Sequence, residues 1–287
     1  MSEIQKVSII DFKTDSGALY KSIDLFFQHF GKDYNKAPVV LVNHSLTGDS
    51  NVSGNKGWWS GIIGPRMTID TDYYSVLAFN IPGNGFKGSK IKKHDDFHTG
   101  DVARLFFEGL KILGITELFA IIGGSIGGSI VWEMGALYPS FSKYLIPVAS
   151  DWKASDWIIA NTFLQKRILK NSSKPLEDAR IHAMLTYRTP RSFDSRFDRT
   201  KNEENNMYYV ENWLIHHGKK LNNRFKLDAY IFMNHLLASV DITRSLKSFE
   251  QIIKKINSSI HLIAIDSDLY FFSYQDKSTF KKLKKIK

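Results

Sequence analysis

Short apolar runs and amphipathic stretches alternate along the first half of this chain. Alternating segments at 7–12 and 22–30 predict an opening antiparallel pair of strands, and helical spacing of apolar residues predicts helices at 101–113 and 128–137. Further apolar runs, typical of buried parallel strands, occur at 39–43, 75–80, 118–122 and 143–149. This alternation predicts an α/β fold whose mainly parallel sheet is covered on both faces.

The pattern changes at residue 151, where amphipathic helical stretches replace the strands. These stretches are residues 156–169, 176–187, 207–217 and 228–239. Strand character returns at 259–265. We therefore expect a helical lid over residues 151–246, inserted into a core that is formed by residues 1–150 and 247–287.

A G-x-S-x-G pentapeptide, with Ser125 at its centre, lies between a predicted strand and a predicted helix. This context is typical of the nucleophile elbow of the α/β-hydrolase fold, in which a tight turn lifts the serine hydroxyl above the sheet edge. The alternative is a plain glycine-rich turn or a phosphate cradle. It lacks the lysine of a P-loop and the later acidic residue of a dinucleotide site. Ser125 is therefore the candidate nucleophile.

Composition narrows the class of protein. A chain of 287 residues fits one α/β domain with an insertion, and 43% hydrophobic with 24% charged residues is ordinary for a globular protein. The absence of cysteine excludes disulfides, thiolate catalysis and cysteine-ligated zinc. No apolar run is long enough to span a membrane, and the first residues lack the layout of a signal peptide. These features favour a cytoplasmic protein.

The formal net charge of +10 is partly concentrated in the lysine-rich residues 281–287. The remaining positive charges are scattered, without an aromatic-interleaved basic patch or a recognisable nucleic-acid module. We therefore expect no nucleic-acid partner. An anionic small molecule, such as a phosphate-bearing cofactor, fits the charge better.

A serine nucleophile needs a base, usually a histidine that is held by a carboxylate. In the α/β-hydrolase fold the acid follows a late strand and the histidine comes after it. Asp268 or Asp266 occupies the acid position, although an ordinary hydrated turn is the alternative for this Asp-Ser-Asp sequence. All nine histidines precede Asp268, and none has the expected position for the base.

The segment after the strand at 39–43 is a candidate oxyanion hole. In this fold one donor comes from such a loop and the other from the residue after the nucleophile. The backbone amides of Leu46 and Ile126 are therefore the expected donors. The alternative is a structural turn with His44 packed beneath it.

Several short motifs follow one another in order along the chain. They are NHSLTGDS at 43–50, GWW at 57–59, IG at 63–64, IDT at 69–71, FNIPGNG at 79–85, GGSIGG at 123–128, LTYR at 185–188 and IDSD at 265–268. Together they resemble the homoserine O-acetyltransferase family, from about residue 5 to about residue 275. The paired tryptophans and the insertion around them separate that family from ordinary esterases.

The resemblance implies an acyl transfer. Ser125 would take an acetyl group from acetyl-CoA and pass it to the side-chain hydroxyl of L-homoserine, on the route to methionine. Asp268 would be the acid of the triad, with acetyl-CoA as a substrate, no bound cofactor and no metal. In relatives the helical lid also builds the dimer interface, so the resemblance implies a homodimer.

The chain also departs from the family pattern. The catalytic histidine of a Gly-His-Asp segment, and the aspartate after it, have no counterpart in the sequence. We accordingly expect the sheet to lack its final strand and its long C-terminal helix. For substrate binding, the arginine that meets the substrate carboxylate aligns with Lys166, next to Arg167, and Tyr187 belongs to the LTYR motif. A succinyltransferase, a serine hydrolase and a catalytically silent homologue remain the alternatives.

Overall fold

A computed structural model describes residues 2–88, 90–91, 93–245 and 247–286. Its strands are β1 Gln5–Lys13, β2 Leu19–Gly31, β3 Val39–Asn43, β4 Ile63–Gly64, β5 Ile69–Asp70, β6 Ser75–Phe79, β7 Leu118–Gly124, β8 Ser142–Val148 and β9 Ser259–Ile260. Seven of them form one sheet in the order β1-β2-β6-β3-β7-β8-β9, and β4 pairs with β5. The α/β fold expected from the sequence pattern is confirmed.

The sheet is antiparallel at one edge and parallel elsewhere. Strand β1 pairs antiparallel with β2, which pairs antiparallel with β6. The pairs from β6 through β3, β7 and β8 to β9 are parallel. Every residue of β3 and β6 is buried, which explains why their sequences are continuously apolar.

Each face of the sheet is covered differently. Helices α1 Thr99–Ile112 and α2 Ile126–Leu137 cover one face. The other face packs against a segment without helices that includes Val52, Trp58 and Trp59. The paired tryptophans of the GWW motif therefore cover part of this face of the sheet.

Within the described residues, the first five helices after β8 form the lid. They are α3 Asp156–Asn171, α4 Pro175–Thr186, α5 Pro190–Phe197, α6 Tyr209–Asn222 and α7 Leu227–Ala238. Four of them match the predicted stretches. Helix α5 was not predicted, because it is short and buries none of its residues. The predicted end of the lid at Leu246 lies outside the described residues, so the lid boundaries stay a prediction.

Two further helices follow the lid, α8 Phe249–Ile253 and α9 Ser273–Ile286. We did not predict α9, because lysines dominate the end of its sequence. In the structure α9 buries Leu283, and its Thr279 hydroxyl accepts a hydrogen bond of 3.1 Å from Trp152 Nε1. No strand follows β9 in the described part of the chain, and no helix described there has the length and apolar character needed to cross a membrane.

Strand β9 is shorter than the predicted strand at 259–265, for a reason that lies in β8. The His261 amide donates to Leu145 at 2.9 Å, and the Ile263 amide donates to Pro147 at 3.1 Å. The reverse bond from residue 147 cannot form, because proline has no N–H. The Ala149 amide restores the ladder by donating to Ile263 at 2.8 Å. Residues 259–263 therefore pair with β8 along their length, with one hydrogen bond of the ladder missing.

Candidate active site

Ser125 lies on the turn between β7 and α2. Its backbone has φ 57° and ψ −129°, in the left-handed half of conformational space that non-glycine residues rarely occupy. The Ser125 amide donates to the Val148 carbonyl of β8 at 3.0 Å, which fixes the turn. This geometry matches the strained strand-to-helix turn that the pentapeptide predicts.

The glycines around Ser125 are required by close backbone approach. A Cβ on Gly127 would lie 2.4 Å from the Asn43 carbonyl oxygen, and one on Gly123 would lie 2.4 Å from the backbone of Gly127. Both distances are well inside van der Waals contact. The pentapeptide therefore brings β7, α2 and the end of β3 together, next to the candidate oxyanion loop.

Ser125 opens onto a cavity of about 240 Å³ between the sheet and the lid. Leu46 and Asp268 also line this cavity. The other lining residues are Ala149, Gln165, Ala183, Thr186, Tyr187, Tyr230, Asn234, Leu237, Ile265, Ser267, Tyr270 and Phe271. Four of the seven predicted site residues, Ser125, Leu46, Asp268 and Tyr187, thus line one cavity, and a fifth, Ile126, directly follows Ser125.

The loop that carries Leu46 is held from below by His44. His44 is fully buried, and burial lowers the pKa of its imidazole. The Ile81 amide donates to Nε2 at 3.0 Å, so Nδ1 carries the proton that is donated to the Ser45 carbonyl at 2.7 Å. His44 is thus a neutral structural residue, as one of the two sequence interpretations held.

Neither expected oxyanion donor is already committed to another group in the described residues. The Leu46 amide has no protein acceptor there, and Ile126 begins α2, where the first amides have no partner inside the helix. From the lid, Arg224 donates to the Thr47 carbonyl at 2.9 Å. The loop is therefore fixed from both sides while its Leu46 amide stays available.

The two candidate acids have different surroundings. Asp268 lines the Ser125 cavity, and its Oδ1 accepts hydrogen bonds from the amides of Tyr270 at 2.7 Å and Phe271 at 2.9 Å. Asp266 has a side chain that is 89% exposed and lies 3.5 Å from Lys277 Nζ. The geometry favours Asp268 as the acid that faces Ser125.

No histidine lines the Ser125 cavity among the described residues. His182 is connected to the cavity wall through Gln165, which lines the cavity and whose Nε2 lies 2.9 Å from His182 Nδ1. His182 is half-buried on α4, and burial lowers its pKa. The structure therefore leaves a base unassigned, as the order of residues in the sequence predicts.

Lys166 and Arg167 lie away from this cavity. Both side chains are exposed on α3, and Lys166 lines a separate groove. Gln165 faces the Ser125 cavity, and each step along a helix turns a side chain by about 100°. Neither side chain therefore lies on the wall of the Ser125 cavity, and their role toward the substrate stays a prediction.

Sequence analysis did not single out Arg180, a cation that lies over the ring of Tyr187 in the cavity wall. Its guanidinium carbon lies 5.3 Å from the ring centroid of Tyr187. Tyr187 exposes about half of its surface, yet its hydroxyl end is enclosed, so burial raises its pKa while Arg180 lowers it. The seven-residue spacing, two helical turns that place both residues on one face of α4, is the signal that could have found this pair.

A second acidic group lies behind Asp268. Burial raises the pKa of Asp151 to about 7, with Asp276 and Asp268 adding repulsion, and it raises the pKa of Asp276 to about 6. Each residue is only 8% exposed, and Oδ2 of each has no hydrogen-bond partner in the described residues. Burial therefore favours the protonated form of both carboxyls.

Ligand-type side chains close enough to hold a metal ion occur, in the described part of the chain, at Asp15, His98 and Asp101. None of them lines the Ser125 cavity. Arg104 donates to the carboxylates of both Asp15 and Asp101, so a guanidinium already balances their charge. We therefore interpret this cluster as a structural cap at the start of α1.

A sequence family described as the alpha/beta hydrolase fold matches residues 38–225. The chain belongs to this family. Homoserine O-acetyltransferase of Symbiobacterium thermophilum is 29% identical, with 92% of this chain and 80% of the relative covered. The enzyme of the same name from Carboxydothermus hydrogenoformans is 26% identical, with 99% and 86% covered.

Solved structures of α/β hydrolases agree with these relatives. Homoserine O-acetyltransferase of Staphylococcus aureus has a TM-score of 0.86 at 25% identity, over 99% of this chain and 86% of its own. Esterase E22 has a TM-score of 0.87 at 19% identity, over 100% and 91%, which shows the shared fold. The resemblance predicted from the motifs is confirmed, and the chain is an enzyme by resemblance to these α/β hydrolases.

Proposed function

We propose that this chain is an acyltransferase that moves an acetyl group from acetyl-CoA to the hydroxyl of L-homoserine through an acyl-Ser125 intermediate. The observation that carries the proposal is the placement of Ser125, Asp268 and the Leu46 loop around one cavity beneath the lid. Relatives with the name homoserine O-acetyltransferase over most of this chain supply the substrate class.

The reaction proceeds in two steps. Ser125 Oγ attacks the thioester carbonyl, its proton passes to a base, and the amides of Leu46 and Ile126 stabilise the oxyanion until the thiolate leaves with a proton. The homoserine hydroxyl then attacks the acyl-serine, and Ser125 regains its proton as the ester is released. Asp268 orients and stabilises the base, which no described residue of the cavity wall provides.

Mass spectrometry of the intact protein after incubation with acetyl-CoA tests the proposal. We expect an added acetyl group that maps to Ser125, because the turn presents its hydroxyl to the cavity. The adduct should disappear in Ser125→Ala and on addition of L-homoserine. An unmodified Ser125 after long incubation would favour the catalytically silent homologue, which the absence of a histidine from the described cavity wall also supports.

Arg180 supplies the positive charge for the carboxylate of homoserine in this proposal. Arg180→Ala should raise KM for homoserine by about tenfold or more, because the substrate carboxylate loses a charge-assisted partner. KM for acetyl-CoA should stay within about twofold. Steady-state kinetics, with the base supplied where turnover requires it, measures both constants.

Arg167→Ala is the matched control for Arg180, since it removes the same charge from an exposed position on the neighbouring lid helix. It should leave KM for homoserine nearly unchanged. The opposite ranking of the two variants would restore the carboxylate site that the alignment predicts on α3.

We further propose a homodimer through the lid. Leu164 and Leu185 are 44% and 50% exposed on adjacent lid helices, outside the residues that line the Ser125 cavity. Apolar side chains exposed together are typical of an interface between subunits. Sedimentation velocity over a range of concentrations would detect the dimer, and a monomer throughout would argue against it.

A further inference from the structure

A second cavity, of about 750 Å³, lies between α3 and α7 next to the Ser125 cavity. One stripe of α3 forms its wall, with Ile159, Phe163, Lys166 and Lys170 at helical spacings of four, three and four residues. Lys93 lies on the opposite rim. We call this cavity the lysine groove.

The ammonium groups of the lysine groove are open to a ligand. Lys93, Lys166 and Lys170 form no ion pair within the described parts of the chain. Asp96, on the same rim, accepts a hydrogen bond of 2.9 Å from the Tyr20 hydroxyl, and Asp95 lies 3.7 Å from His235 Nδ1. Both nearby carboxylates thus have other partners, and the lysines remain for an anion.

The positive surface continues beyond the groove. His94 lines both the lysine groove and an adjacent cavity of about 400 Å³. Lys87, Lys90 and Lys226 line that second cavity, with Asp228 as the acidic residue among them. The excess of lysines over carboxylates creates a positive potential that attracts a ligand with several negative charges.

The groove also has an apolar surface on which an aromatic ring can stack. The side chain of Phe163 is 65% exposed, and Ile159 is 47% exposed on the same stripe. An exposed aromatic ring beside cationic side chains binds nucleotides by stacking on the base while the lysines meet the phosphates.

One residue lines both the lysine groove and the Ser125 cavity. Asn234 lines both cavities, and its Nδ2 donates to the Thr162 carbonyl at 2.9 Å. Asn234 of α7, which this hydrogen bond holds to α3, therefore stands between the lysine groove and the Ser125 cavity.

We infer that the lysine groove binds the phosphate-bearing nucleotide end of the thioester donor, with Phe163 against the base and Lys93, Lys166 and Lys170 on the phosphates. This inference rests on the proposed function. It gives Lys166 a role toward the donor, since Lys166 lines the groove whereas its neighbour Gln165 lines the Ser125 cavity.

Calorimetric titration of the full chain tests the inference, with coenzyme A and adenosine 3′,5′-bisphosphate as probes. Lys166→Glu/Lys170→Glu should weaken both probes by about tenfold or more, as expected for two lost contacts to phosphate. The weakening should shrink in high salt, because salt screens exposed charges. Phe163→Ala should weaken adenosine 3′,5′-bisphosphate more than it weakens inorganic pyrophosphate.

Lys219→Glu/Lys220→Glu is the matched control, since both lysines are exposed on lid helix α6 and the change in net charge is the same. It should change affinity by less than about twofold. Equal weakening in both double variants, or no binding of either probe, would overturn the inference. If the probes bind in the groove but Ser125 is never acetylated, only the proposed function is rejected. If Ser125 is acetylated equally well in the groove variants, only the inference about the groove is rejected.

Discussion

The chain alone should transfer acetyl groups to L-homoserine about three orders of magnitude, or more, below an ordinary enzyme rate. The physical reason is the Ser125 hydroxyl, which keeps its proton when no base is close, and no described residue of the cavity wall is a histidine. The oxyanion donors and the binding groups leave a residual rate. Release of the free thiol from acetyl-CoA in the presence of homoserine measures that rate.

Supplying a base should raise this rate steeply. Imidazole in solution, or a separate polypeptide that bears a Gly-His-Asp segment, can bring a base into the cavity that Ser125 and Asp268 both line. Ser125→Ala is the control, and it should abolish the gain. A normal rate without any added base would show that one of the nine histidines is catalytic, and His→Ala substitution at each, beginning with His182, would identify it.

The second large effect concerns pH. Folded Asp151 has its pKa raised to about 7 and Asp276 to about 6, whereas both start from 3.8. Between the unfolded and folded values the native state binds more protons, so the free energy of unfolding falls as pH rises. From pH 5 to pH 8 we expect a loss of about 2 kcal/mol or more. Urea unfolding at the two pH values measures it.

Asp151→Asn should remove most of this loss, because the amide stays neutral at every pH in the range. The variant should then be more stable than the parent at pH 8 and similar to it at pH 5. Asp266→Asn is the matched control, since its carboxyl is exposed. It should follow the parent chain at both values, and an equal loss in Asp151→Asn would contradict the assignment.

The sheet and the elbow could be predicted from the sequence because their signals are local. Buried strands read as continuous apolar runs, and the glycines beside Ser125 are required by backbone contacts within a few residues of the turn. These two predictions needed only neighbouring residues. The family resemblance named Asp268 rather than Asp266, and Asp268 is the one of the two that lines the Ser125 cavity.

Features that depend on docking could not be predicted in this way. The Asp151 and Asp276 carboxyls repel each other because α9 lies against the segment after β8. The residues around either aspartate in the sequence do not indicate that the other will be near. Which lid cation meets the substrate carboxylate likewise depends on which face of each lid helix points inward. A shift of one residue in register turns a side chain by about 100°, so the assignment to Lys166 and the proposal for Arg180 both stay predictions.

The break in the ladder at Pro147 makes the two halves of the site unequal in rigidity. Ser125 follows a central strand that is paired on both sides. Within the described residues, Asp268 follows an edge segment that is paired only with β8 and lacks one hydrogen bond. Local opening of such an edge costs less free energy than opening of the centre. The acid can therefore adjust to whatever group comes to lie against it, while the nucleophile keeps a fixed position.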